Sequence, residues 1–555
     1  MDWKSGRGNQ CKQKGGIKMV FRIPEPQDCF ITSQAVYQSI IPSNHFLVRV
    51  AKSVDFTFIN EDMKDTYCPD NGRPTTNYPS RMLKALWLSI QYDMTDREME
   101  ERANQDIVIK WFLGYNIGEK AFDHSALGAF RERLGEEGCK EAFFKINKQI
   151  ETKGLIVPGE SQTIDATHVL SKTAHLTVPQ MIHRGVVKLF REIHLLSPEL
   201  EQEIKDAIGF EGDITKIPKE YGMSKAERLD RLTRLVLLAE GLVEAFSARV
   251  LNYPENEKRA RVVSAAEILH RIINEQTEEE TSKDGKVKRK KKALKDKPKD
   301  RIASPVDPNA RHGHKTSKKP FLGYKVSLTE NEKEIVTNIE VDPGNFVDGD
   351  AQIPMCDELE DRQGKRPEKV TGDKAYGDGK VRHTQKEKGT RVVAPLKKPA
   401  AKKDKYPQSM FKYNPETSEV TCPGGRKARR IGYNKKYKCT MYKFLAADCG
   451  KCPQKDLCTD AKARSINISD FEPYFREAAE YKKTDEYKDD MKRRAGHERK
   501  NCEMKKKHGM ERARYWGVKK VRIQAYLTAM TVNIKRFIKL LYENDDKKPN
   551  GVESA

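Results

Sequence analysis

Only four short stretches of this chain read as β-strand, and they are scattered through a sequence that is otherwise helical. Any sheet must therefore be assembled from pieces far apart in the chain, with long insertions between them. In "GLIVPGESQTIDATHVL", residues 154–170, the β-branched run Thr163-Ile164 leads into Asp165, so a strand with a carboxylate at its end is expected. Residues 321–342 alternate apolar and polar on both sides of "TENEKE", the pattern of a β-hairpin. "RPEKVTGDKAYGDGK", 366–380, reads as a strand ending at Asp373 before a glycine-rich loop, and "GTRVVAPLKK", 389–398, as one more strand.

Helical periodicity fills much of the rest. Met82, Leu83, Leu86, Trp87 and Ile90 recur at helical spacing within 30–150. Thr95 with Glu98 forms a capping box, and Asp123-His124 precedes a further helix. Residues 178–276 are helical again, with Ser224 as an N-cap, and 472–542 end in an apolar stripe of Val521, Leu527, Met530, Ile534, Phe537 and Leu541. Ten Lys or Arg lie between Lys286 and Arg301, a charge run that predicts a disordered, solvated linker able to grip a DNA backbone.

At 555 residues the chain has room for three or four domains. Its 105 Lys and Arg against 82 Asp and Glu leave a net charge of +23, which points to a polyanionic partner, nucleic acid above all. No run approaches the ~20 apolar residues needed to span a bilayer, so no membrane role is expected. The polar N-terminus shows no signal-peptide core, and a cytoplasmic location with reduced cysteines is expected. Residues 1–29 are expected to be disordered or to include untranslated leader, because "GGIKM" resembles a translated ribosome-binding site and makes Met19 a candidate start. No phosphate-binding loop or dinucleotide glycine pattern occurs, which argues against use of ATP or NAD.

Three acids stand out by context: Asp165, Asp373 and Glu498, separated by 208 and 125 residues. Phosphodiester chemistry gives a reason to bring them together. Two Mg²⁺ ions ~3.5–4 Å apart can activate the attacking oxygen and neutralise the leaving one. Mg²⁺ takes hard oxygen ligands, typically carboxylates, water and phosphate. In "RAGHERKNCEMK" a continuous helix would place Arg494, Glu498 and Lys505 within about 40° of one face, with Glu503 about 140° away. Glu498 is thus the candidate and Glu503 the control. Taken singly, each acid also has an ordinary structural reading as a turn residue or ion-pair partner.

"RAGHERKNCEMK" resembles the Y-x2-R-x3-E-x6-K signature of DDE transposases from bacterial insertion sequences, with Arg494, Glu498 and Lys505 matching and Met491 in place of the Tyr. "TIDATHV" and "VTGDKAYGD" look like the two Asp strands of that family, and 304–350 is similar to the segment between them. The helical stretch from "YPSRMLKALWLSIQYDMTDREMEERANQDIVIKWFLGY" to "DHSALGAFRERL" resembles its N-terminal domain. The resemblance implies an α/β fold: an RNase H-like mixed sheet with flanking helices. It implies a catalytic and metal-binding triad of Asp165, Asp373 and Glu498, served by Mg²⁺ or Mn²⁺, two per site. It further implies cleavage at terminal inverted repeats and attack of the freed 3′-hydroxyl on target DNA, by a homodimer or higher assembly on the nucleoid. Arg494, Lys505, Lys325 and Arg311 are the expected DNA contacts.

Cys422, Cys449, Cys452 and Cys458, spaced C-x26-C-x2-C-x5-C, could close a tetrahedral structural Zn²⁺ site, with Cys439 as a fifth candidate and unliganded thiols as the alternative. The expected organisation is a helical DNA-binding or dimerisation domain at 30–150 and a catalytic core from 154–170, 304–400 and 472–542. Into this core are set a helical insertion at 171–303 and a cysteine-bearing insertion at 401–471, with a polar tail at 543–555. Two other functions share these features: an RNase H-like nuclease without strand transfer, and a domesticated zinc-containing DNA-binding protein.

Overall fold

The structure is a computed structural model that describes residues 19–20, 28–67, 73–210, 223–281, 287–316, 319–397, 404–494 and 496–543. The expectations for residues 1–18 and for the tail from Asn544 lie outside the described residues.

The N-terminal region is helical. Helix α1 (Pro79–Gln91) is buried almost throughout, α2 (Asp96–Gln105) starts on the Thr95–Glu98 capping box, and α3 (His124–Thr152) is capped by Asp123. A kink in α3 falls at Gly135, whose φ of 66° is open to glycine without strain.

Strand β1 (Gln162–Leu170) follows. Helices α4 (Val178–Leu196), α5 (Lys225–Ser247) and α6 (Glu257–Gln276) then pack around their own apolar cluster, centred on Leu189, Val236 and Leu269. Next comes a hairpin of β2 (Thr277–Thr281) and β3 (Val287–Lys291). Here the structure corrects the expectation of a disordered basic run. Glu278, Glu279 and Glu280 stand directly opposite Lys290, Arg289 and Lys288, so the acidic strand neutralises the basic one. Arg289 also reaches Glu240 on α5, at 2.6 Å.

The main sheet uses β1, β4 (Arg311–Thr316), β5 (Lys319–Glu330), β6 (Val336–Pro343), β7 (Lys369–Thr371) and β8 (Arg391–Val393). Its order is β8-β7-β1-β5, with β6 beside the C-terminal part of β5 and β4 beside its N-terminal part. β7 and β8 run parallel to β1, whereas β5 is antiparallel to it. Between β6 and β7 lies α7 (Gln352–Gln363), and between β7 and β8 lies α8 (Gly379–Glu387).

A second difference from the sequence reading concerns Asp165. It does not end a strand: β1 continues to Leu170, and Asp165 sits mid-strand opposite Leu328. The long β5 supplies partners for all of "THVL", which a search for a strand-end acid overlooks.

After the cysteine-bearing region come α9 (Asp485–Arg494), α10 (His497–Lys507) and α11 (Val518–Tyr542). α11 is the keystone of the main core. Its Val521, Leu527, Met530, Ile534 and Phe537 are buried against α1, α3 and β6 in one cluster that joins the N-terminal helices to the sheet. Leu541, at 39% exposure, falls outside the buried stripe. Polar side chains fix the register: buried Asn533 accepts from Val336 N (2.7 Å) and donates to Asn147 Oδ1 on α3 (2.8 Å). Buried Asp307 accepts from Ser171 Oγ (2.6 Å), Gly517 N (3.0 Å) and the Tyr324 hydroxyl, tying the exits of β1 and the insertion to the start of α11. A buried carboxylate is tolerable only when its oxygens are satisfied in this way.

Candidate active site

A cleft of ≈ 600 Å³ opens beside β1, and three elements bring acids to it. Asp165 comes from the middle of β1. Asp373 follows β7, where its Oδ1 caps a short turn by accepting from Ala375 N at 2.7 Å. Glu498 lies in the exposed first turn of α10. The chain therefore gathers all three of the separated acids into one cleft.

A fourth acid, Asp348, lines the same cleft and holds Lys325 by a 2.6 Å ion pair. It escapes sequence reading because its turn shows no strand or helix pattern. Contact between the two aspartate-bearing turns depends on Gly349, where a Cβ would lie 2.6 Å from Ala375 O. Asn501 was missed as well. One turn along α10 from Glu498, it donates from Nδ2 to Asp165 Oδ2 at 2.9 Å, and its own Oδ1 is buried without a hydrogen-bond partner among the described residues. Its i+3 spacing from Glu498 was the available signal.

Glu511 is a fifth acid on the wall, which also carries the basic groups Lys325, Lys505, Lys506, Lys315, His168 and His314. Burial drives the His168 pKa down to about 4, and the nearby Lys505 and Lys315 push the same way. Lys505 is itself lowered, by burial and then by Lys315. Crowding of cations beside acids leaves a cleft suited to an anion that brings its own countercharge.

Two expected DNA contacts do not join this wall. Arg311 is buried, its guanidinium bonded to Asp300 (2.7 Å) and the Ala310 carbonyl (3.2 Å), so it holds the β4 segment and presents no charge to a ligand. Arg494 ends α9 and is not on the helix of Glu498. The two helices are separate elements, α9 ending at Arg494 and α10 starting at His497, and Gly496 N donates to Arg493 O at 3.0 Å. The shared face of Arg494, Glu498 and Lys505 thus reduces to Glu498 and Lys505.

Glu503 turns the other way, toward α11. It pairs with Lys535 at 2.6 Å, and hydrogen bonding from His508 is the main cause that lowers its pKa to about 2, with Lys535 adding to it. A carboxylate lowered on folding contributes stability above its unfolded pKa of ~4.3 and loses it as pH falls. Glu503→Gln is therefore expected to lower the melting temperature at pH 7, and the gap to wild type should close as pH falls from about 5 toward 2. Thermal unfolding across that window checks it; a gap independent of pH would contradict it.

Among the described residues, the tightest set of metal-capable side chains is elsewhere: Glu100, Asp123 and His124. Asp123 is already spent as the cap of α3, and His124 Nδ1 and N–H both bond Glu100 Oε2, at 2.8 and 2.9 Å. These bonds account for the group as the junction of α2 and α3.

In the cysteine-bearing region, β9 (Lys412–Asn414), β10 (Glu419–Thr421), β11 (Arg429–Asn434), β12 (Cys439–Lys443) and β13 (Ser465–Ser469) surround a small core of Phe411, Val420, Tyr442, Phe444, Ile466 and Ile468. Cys422, Cys449, Cys452 and Cys458 line one pocket beside it. Cys422 Sγ accepts from Arg426 N at 3.3 Å. A Cβ at Gly424 would lie in ordinary contact with the sulfurs of Cys422 and Cys452, at 3.7 and 3.9 Å, so Gly424 packs beside both. Burial raises the Cys458 thiol, and the other three cysteines add to the rise. Cys439 is buried within β12 and does not line the pocket.

Residues 35–133 match the family model of the Transposase domain (DUF772), and residues 421–538 match that of the Transposase DDE domain. No curated protein matches the chain. The first match covers α1 and α2; the second covers the four clustered cysteines, Glu498 and most of α11. The two matches, one to a transposase domain and one to a DDE transposase domain, support a DDE transposase of an insertion-sequence family. No helix among the described residues is long and apolar enough to cross a membrane.

Proposed function

We propose that the acid-lined cleft is the active site, where DNA is cut at the element's terminal inverted repeats and the 3′-hydroxyl is joined to target DNA. The observation that carries this reading is the convergence of Asp165, Asp373 and Glu498, from β1, the turn after β7 and α10, on one cleft. The sheet order supports an RNase H-like core, with β1 central between an antiparallel hairpin and two parallel strands.

The donor set fits a hard divalent cation. Every acidic ligand is a carboxylate, and the orphaned Oδ1 of Asn501 adds a neutral oxygen in need of a partner. Asp165, Asp373 and Glu498 would hold Mg²⁺ or Mn²⁺, whose chemistry when bound is to activate the attacking oxygen and stabilise the leaving one. Asn501 orients Asp165. Lys505, Lys325 and Lys315 would meet phosphate oxygens, which lowers the charge cost of bringing DNA to five acids. His168, kept neutral at pH 7, adds no further positive charge. The four thiols that line one pocket are the donor type a structural Zn²⁺ takes.

The N-terminal helices would recognise the inverted repeats, and a dimer or larger assembly on the nucleoid would pair the two ends. The test is a duplex carrying the element's end, incubated with plasmid target and Mg²⁺. Nicked ends with a free 3′-hydroxyl and end-to-plasmid products are expected. Cutting without joined product would leave a nuclease, and binding without cutting would overturn the assignment.

A further inference from the structure

A second basic groove, of ≈ 820 Å³, lies between the helical insertion and the segment leading into α11. On its insertion side, Arg184, Lys188 and Arg191 follow one another at steps of four and three along α4, so they form a ridge on one helical face. Among the described residues, neither Arg184 nor Arg191 meets an acid. The acid in the groove, Glu192, is buried and neutralised by Arg261 at 2.8 Å. Across from this ridge stands Trp516, 52% exposed.

A half-exposed indole gains nothing from duplex DNA, whose bases are already stacked on one another. An unpaired base offers it a free face, and the cationic ridge supplies what the adjoining phosphates need. Trp516 is also held in place. Leu170 N donates to Glu511 O (3.0 Å), Ala513 N donates to Leu170 O (2.8 Å), and Gly517 N donates to Asp307. Glu511 lines the acid cleft, so the short segment 511–516 forms part of the wall of both cavities.

We infer that this groove takes an unpaired DNA strand beside the cleavage site, with a base stacked on Trp516 and its phosphates on Arg184 and Arg191, while half-buried Lys188 holds the Pro305 carbonyl at 2.9 Å. The inference rests on the chain's acting on DNA, but not on the metal chemistry assigned to the acids. It is tested on the full chain without divalent metal, using a short single-stranded oligonucleotide and a fully paired duplex of the same sequence.

The chain has four tryptophans, and the emission difference between wild type and Trp516→Ala isolates that of Trp516. The single strand is expected to quench this emission, the duplex to leave it unchanged, and Trp516→Ala to bind the single strand about tenfold more weakly. Trp516→Phe, which keeps a ring, should recover most of that loss. The Arg184→Gln/Arg191→Gln pair should weaken both DNAs and flatten the salt dependence. Asp165→Asn should bind like wild type, which separates this site from the catalytic reading. Unchanged Trp516 emission with the single strand, or equal quenching by the duplex, overturns the inference. So does undiminished single-strand affinity in a folded Trp516→Ala protein.

Discussion

Asp165→Asn, Asp373→Asn and Glu498→Gln are each expected to reduce end cleavage by at least ~10³-fold while leaving duplex binding intact. A metal at a phosphoryl centre supplies several kcal/mol of charge stabilisation, and each ~1.4 kcal/mol is tenfold in rate. Neutral amides of the same shape remove ligand charge without disturbing β1, the capping turn at Asp373 or α10. Glu498 is exposed in a first helical turn, so Glu498→Gln should fold as wild type does. DNA affinity comes mainly from cations and phosphates, which none of these changes removes. Glu503→Gln is the matched control, one neutralised acid on the same helix but on the side facing Lys535. Single-turnover cleavage, with binding measured in parallel and below the melting temperature of each variant, decides the matter. Cleavage by Glu498→Gln at the wild-type rate, or an equal loss in Glu503→Gln, would remove Glu498 from the site.

What the sequence made legible was local chemistry. The capping box at Thr95, the N-cap at Ser224, the helix that follows Asp123 and the hairpin around "TENEKE" each depend on residues within a few positions of one another, and the structure has them all. What it hid depends on distant partners. Asp165 lies mid-strand because β5 pairs along all of β1. The basic run 287–291 is ordered because "TEEET" lies just upstream, and a count of positive charge alone ignores its complement. The face shared by Arg494 and Glu498 assumed an unbroken helix through Gly496. Asp348 and Asn501 reach the cleft by topology, one from an irregular turn and one through its bond to Asp165. The acids themselves were found because a strand or helix pattern surrounds each of them.

Loss of the thiol cluster is expected to unfold the cysteine-bearing region while sparing the main core. Its strands are three to six residues long, and six buried apolar side chains make up its core, too few to offset chain entropy without a staple. Zinc binding in comparably small structural sites contributes ~10–16 kcal/mol, so the cluster would supply most of the region's stability. The main core is joined through α1, α3, β6 and α11 and draws nothing from these residues. Cys422→Ser, Cys452→Ser or a strong chelator should release about one zinc per chain. Proteolysis should then become confined to 404–471, while the main thermal transition stays. This region separates β8 from α9 and α10, so its unfolding loosens the path to Glu498. Cleavage should fall with zinc loss, though less than in Glu498→Gln, and readdition of Zn²⁺ should restore it to the chelated wild type but not to Cys452→Ser. Purified protein with no zinc, or a serine variant as resistant to protease as wild type, would show that the four thiols stand together without a metal and that the small core suffices.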